Sequence, residues 1–151
     1  MRIRLATTGD TDSWLAMRVA LWPDASADEL RCEIAAFFTV GIETGLLHCV
    51  FVAEESGALA GMLELSLRPY ADGCAGSPVP FIEGWYVVPE ARRRGIGGAL
   101  VKAAEQWASA HAYREMASDA LIDNRASLEA HAALGFEEVE RVIRFRKSLK
   151  D

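Results

Sequence analysis

The sequence predicts a single α/β domain over residues 1–151, in which a mixed β-sheet carries helices on both faces. Strand-type and helix-type patterns follow one another in the order strand, two helices, three strands, helix, strand, helix, strand. Hydrophobic residues make up 51% of the chain and charged residues 25%, which is the balance of an ordinary globular domain. The sequence contains no internal repeat, low-complexity tract or linker that would divide it.

The first three elements are a strand and two helices. Residues 2–7 alternate between polar and apolar side chains, which is typical of a strand. Helical spacing of apolar residues predicts a helix over 11–21, and Pro23 prevents the helix from continuing. Ser26, with a glutamate three residues later, forms a capping-box pattern and predicts a second helix that runs to about residue 40.

A hairpin and a third strand of the central region come next. Strand patterns occupy 47–54 and 59–68, and the intervening Glu55-Ser56-Gly57 is a good hairpin turn. Residues 69–80 are rich in turn-forming residues and predict a loop. The run 81–88 is of β type and is closed by a proline.

The last third of the chain alternates helices and strands. Residues 96–110 place their apolar side chains on one stripe, which predicts a long amphipathic helix. Residues 113–118 predict a further strand, and 125–134 predict a helix that ends at Gly135. Residues 136–148 predict one or two closing strands.

Charge and hydropathy exclude several classes of protein. The net charge of −6 and the pI of about 5.1 argue against a nucleic-acid binder, whose surface is normally basic. An acidic surface suits a cationic small molecule, although mild acidity also serves solubility alone. No run of eighteen or more apolar residues is present to span a membrane. The N-terminal Met1-Arg2-Ile3-Arg4 leads into no apolar signal core, so we expect a cytoplasmic protein.

The cysteines and histidines give no indication of a metal site. Zinc sites need clustered ligands, and no C-x-x-C spacing occurs. We therefore expect reduced thiols and no bound metal. The residues concerned are Cys32, Cys49, Cys74, His48, His111 and His131.

The most informative segment is the strand-to-helix turn between Glu83 and Leu100. Peptide N–H groups in the first turn of a helix lack partners within the helix, and this end of the helix attracts anions. Glycines at 95, 97 and 98 would let a phosphate approach that backbone, and Arg92-Arg93-Arg94 adds positive charge. The turn matches neither a Walker loop nor a dinucleotide fingerprint. The alternative interpretation is a glycine-rich turn with solvated arginines.

The same turn resembles the coenzyme signature of the GNAT superfamily of N-acetyltransferases. Arg92-Arg93-Arg94-Gly95-Ile96-Gly97 matches the superfamily pattern Gln/Arg-x-x-Gly-x-Gly/Ala. Val87-Val88-Pro89, Asn124 and Ala133-Leu134-Gly135-Phe136 also stand where the superfamily places them. The resemblance implies an acetyl-CoA-dependent enzyme whose central sheet is mostly antiparallel and splays between the fourth and fifth strands.

Within this superfamily the chain is most similar to the small aminoglycoside 6′-N-acetyltransferases. The matching pieces extend from the first helix to the C-terminus, whereas residues 24–60 match little. They are Leu21-Trp22-Pro23, Asp72-Gly73-Cys74, Ser77-Pro78-Val79, Glu83-Gly84, Arg114-Glu115-Met116-Ala117-Ser118-Asp119, Gly135-Phe136-Glu137-Glu138 and Glu140-Arg141-Val142-Ile143.

The resemblance implies a set of coenzyme-binding residues along the splayed strand and the turn. The strand backbone would pair with the pantetheine arm, and an N–H near Val87 would hold the thioester oxygen. The side chains of Trp85 and Tyr86 are equally compatible with ordinary strand packing. The complete set is Trp85, Tyr86, Val87, Arg92, Arg93, Arg94, Gly95, Ile96, Gly97, Gly98 and Asn124.

The resemblance also implies an acceptor site of carboxylates and aromatic rings. Glu83 and Asp119 lie at strand ends beside the splay and are candidate general bases, acting directly or through a water. Their alternative roles are an exposed strand residue for Glu83 and a turn or helix cap for Asp119. Trp22, Tyr70 and Glu140 complete the predicted acceptor set, and Trp22 is also compatible with a hydrophobic anchor at a helix end.

One position departs from the superfamily pattern. Many members carry a tyrosine, proposed to protonate the departing thiolate, five residues before the phenylalanine of the Gly-Phe pair. In this chain that position is His131. Histidine can donate a proton near neutral pH, but a lone histidine on a helix is also often a packed or capping residue.

Three functions remain open from the sequence. The first is acetyl transfer to the 6′-amine of an aminoglycoside, which would confer antibiotic resistance. The second is acetyl transfer to a protein N-terminus, a lysine or a polyamine. The third is a coenzyme-binding sensor without turnover. The subfamily resemblance favours the first and implies a homodimer.

Overall fold

The structure is a computed structural model that describes residues 1–39 and 47–150. The chain forms two compact units, Met1–Asp119 and Ala120–Asp151. The strands are β1 (Arg2–Leu5), β2 (Cys49–Glu55), β3 (Ala58–Arg68), β4 (Val79–Val87) and β5 (Ala117–Ser118). The helices are α1 (Thr11–Leu21), α2 (Ala27–Thr39), α3 (Ile96–Ala110) and α4 (Arg125–Ala133).

The sheet of the first unit has the strand order β1-β2-β3-β4-β5. The pairs β1–β2, β2–β3 and β3–β4 are antiparallel, and β4–β5 is parallel. The hairpin between β2 and β3 turns through Ser56 and Gly57, which both have positive φ, as a tight two-residue hairpin requires. The predicted mixed, mostly antiparallel sheet is therefore confirmed.

Helices cover both faces of this sheet, as predicted. A Cβ placed on Gly61 would meet Leu100 and Ile96 of α3. The next residue of β3, Met62, belongs to a buried cluster with Trp14 of α1 and Leu30 of α2. Successive residues of a strand point to opposite faces, so α3 covers one face and the α1–α2 pair covers the other.

Two helices coincide with their predicted bounds, and one predicted element is wrong. α1 and α3 begin and end at the predicted residues. α2 is described as far as Thr39, and the predicted end near residue 40 lies outside the described residues. β5 is limited to two residues of the predicted 113–118. Residues 136–148 form no strand.

The missing strand has a physical reason. A strand is held by hydrogen bonds to a neighbouring strand and not by its own sequence, so an alternating pattern alone does not create one. Ile143 is 81% exposed and Phe145 is 92% exposed. The alternating pattern in this segment therefore reflects apolar side chains, such as Ile143 and Phe145, that are exposed in the described structure.

The second unit contains α4 and the segment that follows it. The Asn124 side chain caps the helix by accepting a hydrogen bond from the backbone N–H of Ser127. Gly135, at φ 87°, ends it as predicted. Among the described residues of the chain, no helix is long and apolar enough to cross a membrane.

Candidate active site

The predicted splay lies between β4 and β5. The two strands pair only at Phe81 with Ala117 and Ile82 with Ser118. β4 continues to Val87, and its pairing with β3 continues over the same length. Beyond Ile82 the described strand pairing on the β5 side of β4 has ended, which leaves an opening where an extended amide chain can lie along the strand.

A β-bulge in β4 begins at the same point. Leu65 of β3 pairs with Ile82 and Glu64 pairs with Gly84, so Glu83 is an extra residue in β4. A bulge bends its strand and redirects the side chain of the extra residue. The structure thus places the predicted catalytic residue Glu83 at the irregular position where β4 leaves β5.

The Glu83 carboxylate is held by two residues of β3. It accepts hydrogen bonds from Ser66 Oγ at 2.6 Å and from Arg68 Nε and Nη2 at 2.7 and 2.8 Å. Burial alone would raise the pKa of Glu83, but the hydrogen bonds from Arg68 and Ser66 and the charge of Arg68 outweigh burial and lower that pKa. Glu83 is therefore an ionised, oriented carboxylate and not the exposed strand residue of the alternative interpretation.

Arg68 joins the two predicted acidic residues electrostatically. Its guanidinium carbon lies 3.6 Å from the centroid of the Phe81 ring. The pKa of Arg68 is raised, first by the hydrogen bond to Glu83, and also by the charges of Glu83 and Asp119. Glu83 therefore binds Arg68 directly, and Asp119, although distant in sequence, is near enough for its charge to act on the same arginine.

Trp22 lies against the bulge from the α1 side. Its backbone N–H donates to the carbonyl of Arg18 at the end of α1, at 2.8 Å. A Cβ on Gly84 would lie 2.9 Å from Trp22 Cη2, closer than real contacts allow. The half-buried indole therefore occupies the space that a side chain at position 84 would need, next to Glu83.

The loop between β3 and β4 carries Tyr70 and is anchored at its far end. The Tyr70 ring is 68% exposed, and its hydroxyl donates to Asp72 Oδ1 at 3.0 Å. The Glu115 carboxylate accepts from the backbone N–H groups of Ala75 and Gly76, each at 2.9 Å. These contacts restrict the loop and keep the Tyr70 ring at the surface.

The turn before α3 has the backbone of an anion site. Gly95 occupies the position before the first helical residue at φ 81°, and Arg93 has φ 61°. The backbone N–H of Ala99 is the first to donate within α3, to the carbonyl of Gly95 at 3.0 Å. The N–H groups of residues 96–98 therefore belong to the unpaired first turn, whose direction and polarity suit a pyrophosphate.

Two of the three arginines of this turn also form contacts with other residues of the protein. Arg92 Nε donates to the carbonyl of Val87 at 2.9 Å, and its guanidinium lies 5.4 Å from the Tyr86 ring. Arg94 forms an ion pair with Glu55 at 2.8 Å. These contacts tie the turn to β4 and to the hairpin, so the arginines hold the backbone as well as supplying charge.

Trp85 explains the glycine at position 97. Its indole Nε1 donates to the carbonyl of Gly97 at 3.2 Å, and a Cβ on Gly97 would lie 3.2 Å from the Trp85 ring. The side chain of Trp85 thus packs against the first turn of α3. Gly97 permits this close packing in addition to any approach of a phosphate.

The second unit holds Asn124, His131 and Glu140. The Asn124 side chain is committed to capping α4. His131 Nδ1 lies 2.7 Å from the carbonyl oxygen of Ser127, and the ring contacts Phe136 edge-on with centroids 5.2 Å apart. Glu140 is exposed in the segment after α4. The roles predicted for these three residues remain predictions.

Sequence reasoning missed one polar and three charged residues that surround the bulge. They are Arg18, Glu64, Ser66 and Arg68. A signal was present for two of them, because Arg18 interrupts the apolar stripe of α1 and Glu64 lies in the middle of the apolar run Met-Leu-Glu-Leu-Ser-Leu. A charged residue at a position that the pattern buries almost always has a partner.

Comparisons with known proteins agree with the fold and extend to nearly the whole chain. A model described as the acetyltransferase (GNAT) family matches residues 13–136. The chain is 49% identical over 147 residues to the aminoglycoside N(6′)-acetyltransferase type 1 of Klebsiella aerogenes, covering 97% of this chain and 96% of that protein. It is 41% identical over 150 residues to the protein of the same name from Acinetobacter baumannii, covering 99% of each.

Solved structures of similar sequence have the same fold. AAC(6′)-Iy in complex with the bisubstrate analogue CoA-S-monomethyl-acetylneamine matches with a TM-score of 0.87 and 36% identity, covering 98% of each chain. AAC(6′)-IG from Acinetobacter haemolyticus matches with a TM-score of 0.87 and 35% identity, covering 99% of this chain and 100% of that one. In the described residues of this chain, no group of three or more potential metal ligands is present.

The contact between Arg68 and Glu83 makes a prediction that NMR can test. Arg68→Gln removes the charge and the two-point contact that stabilise the carboxylate, so the pKa of Glu83 should rise. A ¹³C titration of the side-chain carboxyls, with Glu83→Gln for assignment, measures the shift. Arg94→Gln breaks a different ion pair and should leave the Glu83 titration unchanged. An unaltered Glu83 titration in Arg68→Gln would contradict the assigned pairing.

Proposed function

The chain belongs to the GNAT acetyltransferase family, and we propose that it transfers the acetyl group of acetyl-CoA to the 6′-amine of an aminoglycoside. The observation that carries the proposal is the near full-length similarity to aminoglycoside N(6′)-acetyltransferases. The carboxylates around the bulge support it, because an aminoglycoside is a sugar scaffold with several cationic amines. The proposed physiological effect is antibiotic resistance. We propose that the chain is a single catalytic domain, because the acetyltransferase family model matches residues 13–136.

Acetyl-CoA supplies the activated acetyl group as a thioester, and the residues of the turn and of β4 fit it. The first-turn N–H groups of residues 96–98 and the side chains of Arg92 to Arg94 are the proposed pyrophosphate ligands. The opening beside Trp85, Tyr86 and Val87 has the extended backbone that an amide chain can pair with. The N–H of Val87 is the proposed donor to the oxygen on which negative charge develops. Asn124 completes the proposed set.

The acceptor amine is proposed to bind among Glu83, Asp119 and Trp22, with Tyr70 and Glu140 contributing further contacts. Carboxylates attract the ammonium groups, and an aromatic ring can cover a sugar face. The contact of Glu83 with Arg68, together with the influence of the Asp119 charge on the same arginine, supports this placement. An acceptor with one amine would use only part of such a site.

The amine must lose a proton to attack, and the thiolate must gain one. Glu83 and Asp119 are the proposed acceptors of the amine proton. Because the pKa of Glu83 is lowered, Glu83 is better suited to orient the amine and a proton-carrying water than to remove the proton directly. His131 is proposed to protonate the thiolate. In this role the imidazolium form of the ring gives one proton to the sulfur and is reprotonated from solvent. The kcat of His131→Ala tests this role.

We also propose that the enzyme is a homodimer in the cytoplasm. Supporting the dimer, residues 136–150 carry apolar side chains, including Ile143 and Phe145, that are mostly exposed in one chain. The same exposed segments of two copies can pack against each other around a two-fold axis. Sedimentation equilibrium measures this assembly. The proposed location rests on the use of acetyl-CoA, which is an intracellular metabolite. Cell fractionation tests this location.

A substrate panel tests the proposed function. Thiol release from acetyl-CoA is measured with aminoglycosides that have a 6′-amine, with matched aminoglycosides that have a 6′-hydroxyl, and with peptides and polyamines. We expect turnover only with the 6′-amine compounds. Turnover with peptides or polyamines alone would support a different acceptor. Coenzyme binding without turnover on any amine would support a sensor.

The coenzyme site predicts that a negative charge at position 97 weakens acetyl-CoA binding. Gly97→Asp and Gly97→Asn place side chains of the same size against Trp85, so both share the packing defect. Only the aspartate repels the pyrophosphate. Calorimetry should therefore give a higher acetyl-CoA Kd for Asp than for Asn, with a difference that shrinks as salt is added. Equal Kd values would remove the phosphate site from this turn.

The acceptor site predicts that Asp119→Asn weakens aminoglycoside binding. Loss of a charge-assisted contact of about 1–3 kcal/mol should raise the aminoglycoside KM roughly fivefold to a hundredfold. The acetyl-CoA KM should stay near its wild-type value. Asp12→Asn is the matched control, because it removes the same net charge from an exposed position on α1. An unchanged aminoglycoside KM in Asp119→Asn would remove Asp119 from the site.

A further inference from the structure

A buried ion pair lies beneath the acceptor side of the sheet. Arg18 of α1 is 4% exposed and Glu64 of β3 is 0% exposed. Arg18 Nε donates to Glu64 Oε1 at 2.7 Å, and Nη2 donates to Oε2 at 3.3 Å. Burying two charges carries a large desolvation cost, and apolar residues often stabilise such a position as well or better. The pair is therefore a candidate for a role other than stability.

The pair joins three elements in one geometry. Trp14 Nε1 of α1 donates to Glu64 Oε1 at 2.7 Å. Arg18 Nη1 donates to the carbonyl of Leu30 at 3.2 Å and to Glu33 Oε2 at 2.6 Å, both on α2. All buried side-chain N and O atoms of the described residues have a partner. The guanidinium is thus fixed in position by α1, α2 and β3 together.

The fixed guanidinium supports the ring of Trp22. The Arg18 guanidinium carbon lies 5.1 Å from the centroid of the Trp22 indole, one helical turn further along. On another side, Trp22 Cη2 fills the space over Gly84, where a Cβ would also lie 3.2 Å from Glu64 Oε2. The indole is therefore held between a planar cation and a bare glycine backbone, next to Glu83. A lysine could not provide the planar surface or the fork of donors.

We propose that Arg18 and Glu64 are positioning residues that hold the Trp22 ring at the acceptor site and so set the affinity for the aminoglycoside. Gly84 takes part as the position that must lack a side chain. Neither charged residue touches the acceptor, and neither belongs to the coenzyme turn. The inference rests on the proposed function, because it takes Trp22 as an acceptor-binding ring.

Two variants disturb the ring by different routes. Arg18→Lys keeps the charge but removes the planar surface and the fork. Gly84→Ala leaves both charged residues in the chain but places a methyl group against Trp22 and, less closely, against the Glu64 carboxylate. Each should raise the aminoglycoside KM, roughly threefold to thirtyfold for a weakened cation–π contact in a partly desolvated site. The acetyl-CoA KM should stay within about twofold of wild type, since the coenzyme turn is untouched.

The controls separate positioning from general stability. Arg31→Lys alters another arginine that joins α2 to α1, through the exposed pair with Asp12, and should change neither KM. Trp22→Phe removes the outer ring that reaches Gly84. In that background Gly84→Ala should raise the aminoglycoside KM by a smaller factor than in wild type, because its closest contact, Trp22 Cη2, is gone; this is the non-additivity expected of two residues in contact.

A second readout does not depend on turnover. In protein labelled with 5-fluorotryptophan, the ¹⁹F resonance of Trp22, assigned with Trp22→Phe, should shift or broaden in Arg18→Lys and in Gly84→Ala but not in Arg31→Lys. The resonance of Trp107, on α3, reports on the global fold, whereas Trp14 contacts Glu64 and Arg18 and should shift in Arg18→Lys as well. Gly84→Ala keeps the test valid if Arg18→Lys does not fold.

The outcomes distinguish this inference from the proposed function. Failure of the wild-type enzyme to acetylate any aminoglycoside would overturn the proposed function and the acceptor part of this inference, and an altered Trp22 resonance would then support only the positioning of the ring. Normal aminoglycoside turnover by wild type, with unchanged KM in folded Gly84→Ala and Arg18→Lys, would overturn the inference alone. An equal rise in both KM values would assign the pair a purely structural role.

Discussion

β4 pairs with β3 along its whole length, but it pairs with β5 over only two residues. The extra residue Glu83 lies at the point where β4 diverges from β5. A bulge supplies the additional bend and twist that such divergence requires. It also changes which way the side chains near the bend point. The opening beside β4 and the orientation of the Glu83 carboxylate are therefore two consequences of one irregularity in the strand.

The polar residues of β3 stabilise the bulge of β4 within a largely buried sheet. Glu64, Ser66 and Arg68 alternate along the strand and so share the face covered by α1 and α2. Ser66 and Arg68 hold Glu83, and Glu64 holds Arg18. Each buried charge has a partner on a neighbouring element, which is the condition under which charges persist in a protein interior. The face of the sheet covered by α1 and α2 therefore contains paired charged side chains. The face covered by α3 is apolar where Gly61 meets Ile96 and Leu100.

The proposed coenzyme site relies on backbone geometry more than on free side chains. Arg92 and Arg94 bind Val87 and Glu55, and Trp85 binds the carbonyl of Gly97. These contacts fix the turn relative to β4 before any ligand arrives, and preorganised N–H groups lose little entropy on binding an anion. A glycine in this turn is then explained either by its positive φ, as at Gly95, or by a packed indole, as at Gly97.

The sequence by itself determined the elements whose signals are local. Apolar periodicity and terminal prolines and glycines predicted the bounds of α1 and α3, and the glycine-arginine turn predicted the family and its coenzyme. Tertiary structure alone decided which charges meet: Arg18 and Glu64 are 46 residues apart, and Arg68 and Glu83 are 15 apart. It also decided that β5 is short and that residues 136–148 form no strand. Spacing along the chain specifies the face of an element, but the bulge, the register and the partner across the sheet arise only when distant segments pack together.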